Sequence, residues 1–403
     1  MISAGRVALV FWEGYLGVAP SLIHAIEALA RHGFQVDVII REPALAYAAP
    51  PVFDASQVRI VRLQRVAVTS IARGSAATWI GRMVHSFAEH VDRVRFLRLC
   101  RSLGARERYL AAIGVDEDGV LGAARLLAGR PSRLIFWSLE LGTLAGSRDP
   151  VRRWVHRRAQ RVIGRANVRI VQDPDRALAL ATLHGEAPGV TRLVPNAPAG
   201  PALDVHSRFF HDRFALPADQ LVILHAGGIV PEMLGLELAR AAASWPANWS
   251  LVLHERQSRS PDDPYLRRVQ EAGAGRVLLS LEPVGYAQLD SLFASATVSL
   301  ALYSDRHGAN YQLMAGASGK LAHSCRVGVP VVCSNLPGLR ALVEGHGAGL
   351  VVDDPMQIEA AVTSILVDYA RFREGAFNCY REAMEFDQRF AAVLGDLDRM
   401  ACA

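Results

Sequence analysis

The residues best suited to chemistry lie in one short run, Gly316-Ala317-Ser318-Gly319-Lys320. Small residues followed by a cation at a predicted helix start let backbone N–H groups approach an anion closely, and the helix dipole favours negative charge there. A diphosphate at that point would take hydrogen bonds from the helix start and charge from Lys320. Lys320 is the one lysine among 44 basic residues, the rest being arginine. The alternative is an exposed lysine at an ordinary helix start. A second glycine loop, Gly14-Tyr15-Leu16-Gly17, also joins a predicted strand to a predicted helix. It offers the same kind of backbone approach, or it simply shapes the turn. Glu140, in Trp137-Ser138-Leu139-Glu140, closes a strand where it could orient or deprotonate a hydroxyl, or bond a neighbouring loop. His254-Glu255 and Glu282-Pro283 end two successive strands and would flank a base, while Asn196 falls at a hinge, where it bonds substrate or ties two lobes.

These residues need a scaffold, and the alternation of apolar runs with amphipathic stretches predicts one: a parallel sheet covered by helices on both faces, made twice. Strands are expected at Arg6–Trp12, Gln35–Ile40, Val58–Leu63, Tyr109–Val115, Arg133–Trp137, Val168–Gln172 and Arg192–Pro195. A Pro-rich stretch from Asn196 to Pro217 follows. Strands then resume at Leu221–Ala226, Ser250–His254, Arg276–Leu281, Val298–Tyr303, Val331–Cys333 and Gly349–Val352. The expected fold is α/β, with two Rossmann-like doubly wound domains facing across a cleft, at 1–197 and 198–384. The cleft at the carboxyl ends of the strands is where ligands bind in such sheets. A tail helix over 385–403 is expected to pack back on the first domain. Asp173-Pro174 reads as a helix cap with Pro at the first helical position. The polar loop from Tyr303 to Tyr311 is placed to close over a ligand.

With 403 residues, 51% hydrophobic and 21% charged, the chain is neither disordered nor fibrous. Five scattered cysteines without ligand spacing point to buried thiols in a reducing cytoplasm, not to zinc or disulfides. No signal peptide and no spanning segment is expected. Charge is divided unevenly: residues 1–197 carry 27 arginines against 16 carboxylates, and the remainder carries 17 basic against 23 acidic groups. Two arginine-rich amphipathic stretches, Trp79 to Arg101 and Arg152 to Arg165, supply much of the excess. They suit peripheral contact with an anionic membrane or an acidic substrate, or are plain solvated helix faces. No nucleic-acid-binding module accompanies the charge.

Four segments in order resemble the GT-B glycosyltransferases and, within them, retaining family 4. They are Gly14-Tyr15-Leu16-Gly17; Leu193-Val194-Pro195-Asn196; Leu224-His225-Ala226-Gly227-Gly228-Ile229; and the run from Gly319-Lys320-Leu321 to Gly328-Val329-Pro330-Val331-Val332. The resemblance implies a nucleotide-sugar donor held by the second domain and an unidentified acceptor on the first, and the basic charge of the first domain suggests that this acceptor is anionic or lipid-linked. With it, donor contacts are expected from Gly14, Gly17, Gly227, Gly228, Ser318, Gly319, Lys320 and His323 and, from its place at a strand end, Glu282; Lys320 and, again from its strand-end position, Glu140 are the candidates for catalysis. No metal or other cofactor is expected, since Asp305 and Asp262-Asp263 form no Asp-x-Asp motif. Two departures stand out. The family's usual Arg and Lys after the Gly-Gly strand are absent from Gly228-Ile229-Val230-Pro231-Glu232-Met233-Leu234-Gly235, and its glutamate pair falls on Ala315 and His323. The departures also admit a catalytically impaired, sugar-nucleotide-binding partner subunit.

Overall fold

A computed structural model describes residues 5–43, 47, 50–66, 79–128, 133–142, 149–185 and 189–402. The first seven strands are β1 (Arg6–Phe11), β2 (Gln35–Arg41), β3 (Val58–Leu63), β4 (Ala111–Val115), β5 (Leu134–Trp137), β6 (Val168–Val171) and β7 (Val190–Leu193). All are parallel, in the order β3-β2-β1-β4-β5-β6-β7. Val7 to Phe11 are wholly buried, as strands covered on both faces must be, which explains their unbroken apolar run.

The second sheet contains β8 (Leu221–Gly227), β9 (Trp249–Glu255), β10 (Val277–Ser280), β11 (Val298–Ala301), β12 (Val331–Ser334) and β13 (Gly349–Val352). Its order is β10-β9-β8-β11-β12-β13, again all parallel. In each sheet the order reverses beside the first strand, between β1 and β4 and between β8 and β11. Chains leave those neighbours in opposite directions and open a crevice at each carboxyl edge. The two crevices face one another.

The chain crosses between lobes twice. The first crossing follows β7, and the second is a wide turn, Tyr380–Met384, leading into the helix Phe386–Cys402. That helix buries Phe386, Phe390, Val393 and Leu397 in the first domain's core, and Arg192 pairs with Asp396 at 2.8 Å. Tyr380 laces the crossings together, its hydroxyl donating to the carbonyls of Pro198 and Gly200.

Several boundaries shift: β4 begins two residues later than expected, at Ala111, and β11 ends two residues earlier, at Ala301. β7 begins two residues before Arg192, because it is an edge strand with Val190 and Leu193 exposed and lacks the apolar run of its neighbours. The arginine-rich helix spans Trp79–Arg106 and buries Asp92, Phe96 and Cys100, leaving Phe87 in solvent. It runs five residues beyond the expected end at Arg101. No helix of the described residues is long and apolar enough to cross a membrane.

Candidate active site

A cleft of about 1760 Å³ separates the lobes at the carboxyl edges of both sheets. On the second domain its floor is the start of the helix Gly319–Arg326. Ser318 caps that helix, accepting from Leu321 N at 3.3 Å, and its hydroxyl bonds the Tyr303 hydroxyl at 2.6 Å. Gly319 and Lys320 follow on the cleft wall.

Lys320 is buried, with Nζ 3.2 Å from His225 Nε2 and 4.9 Å from the centre of the Tyr303 ring. No carboxylate among the described residues is within ion-pairing distance of it. Burial, reinforced by the charge of Arg256 and opposed by Glu255, pulls its pKa down to about 7. His225 is pushed well below the ordinary imidazole range by burial and by Lys320, and so stays neutral. The lysine is thus a desolvated cation aimed at an opening, a site short of one anion. Gly227 lies beside it at φ +134°, and a Cβ there would sit 3.4 Å from Nζ. One turn on, His323 stacks on Phe293 at 5.2 Å and stands edge-on to Tyr286 at 6.0 Å. Burial lowers its pKa, with Asp290 opposing, so the cleft meets a neutral imidazole.

The first domain presents carboxylates. Glu140 stands open to the cleft, yet the surrounding walls raise its pKa against the pull of Arg176 and Arg256. Asp116, the first residue beyond β4, has left-handed backbone at φ 55° and accepts from Leu139 N at 2.7 Å and Glu140 N at 2.9 Å. It thereby fixes the segment that carries Glu140. Burial raises Asp116 to about 8, its two backbone donors opposing, so it holds a proton at neutral pH. Farther along this wall Arg41 lies 3.8 Å over Trp12 and pairs with Glu89, while Arg93 pairs with Asp118. Part of the first domain's arginine excess therefore lines the cleft in balanced ion pairs.

The lobes touch around the cleft. Asn310 Oδ1 accepts from Leu141 N at 2.7 Å and from Arg176 at 3.0 Å, and Arg176 also donates to Leu313 O and Leu139 O. Asp173 caps its helix and takes Gly316 N at 2.9 Å. Asn196 donates from its backbone to Gly316 O at 2.8 Å and from its side chain to Ala317 O at 3.3 Å. Its own side-chain oxygen, in the cleft wall, has no partner among the described residues.

Gly17, Glu140, Asn196, Gly227, Gly319, Lys320 and His323 therefore share one cleft. Four residues expected at the ligand are placed otherwise: Ser318 is buried, its hydroxyl taken up by Tyr303 and Leu321 N, and it does not line the cleft. Gly14, at φ +72°, is required because a Cβ would meet the Arg41 carbonyl at 1.8 Å, and it does not line the cleft. Gly228 is buried behind the wall. Glu282 points outward to Arg213 at 3.0 Å, leaving Pro283 and Val284 to line the cleft. Sequence reasoning missed Asp116 and Arg256, and took in Asn310 only as part of the Tyr303 to Tyr311 loop. The first ends a strand and could have been found on that signal.

No protein-family model and no curated protein matches the sequence. The fold does match solved structures along nearly its whole length. Sucrose-phosphate synthase from Thermosynechococcus elongatus superposes with TM-score 0.71 at 20% identity, covering 98% of both chains. HepE from Anabaena, in complex with UDP and glucose, gives 0.67 at 13%, covering 98% of this chain and all of that one. The UDP-forming α,α-trehalose-phosphate synthase from Burkholderia vietnamiensis gives 0.66 at 14% with the same coverage. At such identities the likeness carries the fold: two parallel-sheet domains in the GT-B arrangement.

Proposed function

We propose that the protein is a glycosyltransferase that moves a sugar from a nucleoside-diphosphate sugar to an acceptor on the first domain. The observation that carries the reading is Lys320, a desolvated cation without a carboxylate at a helix start facing the cleft. When the bond between anomeric carbon and phosphate oxygen breaks, the electron pair goes to the diphosphate. Lys320 and the N–H groups behind Ser318 stabilise the charge that develops there, in place of a bound metal. Glu140, across the cleft, orients the acceptor hydroxyl or takes its proton, while Asn196 and His323 meet sugar or ribose hydroxyls. Retention of configuration is what the resemblance to family 4 implies. The UDP and glucose in the HepE structure support a donor of this class.

Thermal-shift measurements with UDP-, GDP-, dTDP- and ADP-sugars test the reading, since a bound donor raises the melting temperature. Release of a nucleoside diphosphate in the presence of acceptors is then expected. No shift with any of the four removes the donor site. A shift without release under any acceptor condition favours the second reading, a sugar-nucleotide-binding partner subunit, which His323 in the usual glutamate's place motivates.

We also propose cytoplasmic residence with peripheral contact to anionic membrane. The helix Pro150–Ile163 supports this: Trp154 is exposed beside Arg158 on a face that also carries Arg157 and Arg161. Co-sedimentation with liposomes should increase with anionic lipid content, and equal binding to neutral liposomes would refute it.

A further inference from the structure

Arg256 is the first residue beyond β9, and its side chain lines the cleft. Strand pairing explains how it arrives there. β8 and β9 run parallel with Gly227 opposite Glu255, so Arg256 leaves the sheet edge beside Gly228, where the chain's own next residues, Ile229 and Val230, are apolar. Its neighbour Glu255 is committed elsewhere. That buried carboxylate accepts from Ile229 N at 3.0 Å and Arg256 N at 2.9 Å, and pairs with Arg259 at 3.3 Å. Among the described residues nothing bonds or ion-pairs the Arg256 guanidinium, although its field reaches Lys320, Glu140 and Tyr311. Two cations thus address one volume, neither holding a carboxylate.

We propose that Arg256 is the second cation of the diphosphate site, binding the phosphate group that Lys320 leaves uncompensated. It stands in for the Arg and Lys that are missing after β8. This rests on the donor reading above. Division of labour follows from the chemistry of the two side chains. Lys320 is a compact point charge fixed in the wall, whereas the guanidinium offers two parallel N–H groups that match a pair of phosphate oxygens. An anion between them also relieves the repulsion that now depresses the protonation of Lys320.

Calorimetric titration of UDP, GDP, dTDP and ADP, each with its monophosphate and nucleoside, into wild type, Arg256→Gln and Arg256→Lys tests this. For whichever nucleoside binds, Arg256→Gln should weaken the diphosphate about 10- to 100-fold, the loss of a charge-assisted contact, and the monophosphate by less than about threefold. Arg256→Lys should recover part of the loss. The melting temperature without ligand should not move, because the side chain is exposed and unbonded. Wild-type affinity for the diphosphate in Arg256→Gln overturns the proposal, as does an equal loss for the monophosphate. If wild type itself binds no diphosphate, the donor reading falls and takes this one with it; if wild type binds and Arg256→Gln matches it, this proposal alone falls.

Discussion

Lys320 Nζ lies 3.2 Å from His225 Nε2, so the buried cation of the cleft rests against a neutral base instead of a carboxylate. An anion arriving at this pair converts a half-protonated amine into an ammonium. Because the free-protein pKa is about 7, the ligand must recruit a proton above that pH. Affinity for a nucleoside diphosphate should fall as pH rises from 7 to 9, by up to about tenfold per unit. Lys320→Ala should remove this dependence and lower kcat/KM about 100- to 1,000-fold, the usual loss for a donor aimed at developing charge. Titrations at three pH values and steady-state kinetics check both. Lys320→Arg should not restore activity, since the bulkier planar guanidinium must give up the point-charge contacts with His225 and the Tyr303 ring that hold the ammonium.

Asp116 gives a pH effect on stability. Its folded pKa, about 8, lies above the ordinary carboxylate value of 3.8, so between those values the folded chain binds more protons than the unfolded one. This contribution is fully present below about pH 4 and is lost as pH rises through 8. Asp116→Asn keeps an oxygen that can accept from Leu139 N and Glu140 N while removing the titration. Urea unfolding at pH 5.5 and 8 should show a flatter profile for the variant. An unchanged slope would mean that Asp116 ionises freely.

Asn310 ties the second domain's loop to Leu141 and Arg176. Asn310→Ala strips the Leu141 N–H of its acceptor, a loss of about 1–3 kcal/mol in that contact. The lobes should separate more readily. Small-angle scattering should report a larger radius of gyration, and KM should rise more than kcat falls. Equal scattering curves would show that the lobes are held by other contacts.

Gly14 separates structural from ligand-binding glycine. Gly14→Ala should destabilise the fold by at least about 1–2 kcal/mol, from the left-handed backbone alone, before the approach to the Arg41 carbonyl is added. Its melting temperature should fall, while any donor affinity measured below that temperature stays near wild type.

The fold was legible in the chain because most interior strands are largely apolar runs bounded by turn residues, and all thirteen were found. β7 slid by two residues because an exposed edge strand carries little hydrophobic signal. The second domain's floor was legible too, since Ser318, Gly319 and Lys320 work through local backbone geometry. What sequence could not supply was adjacency between strands. Arg256 lies 28 residues beyond Gly228, and only the pairing of β8 with β9 brings them together. Glu282 failed for the complementary reason: once past the strand end, nothing local decides which side of the loop faces the cleft, and Arg213 claims it.

The twofold crossing between the lobes, laced by Tyr380, has a mechanical consequence. Two bodies joined by one strand can swivel in any direction, but two strands held side by side act as a pair of hinge pins. Any opening or shutting of the cleft should therefore be a bend about the line through Pro198, Gly200 and Tyr380 and not a twist. A bend of that kind would bring Lys320 and Glu140, which face the same cleft, back to one alignment without a search over torsional orientations.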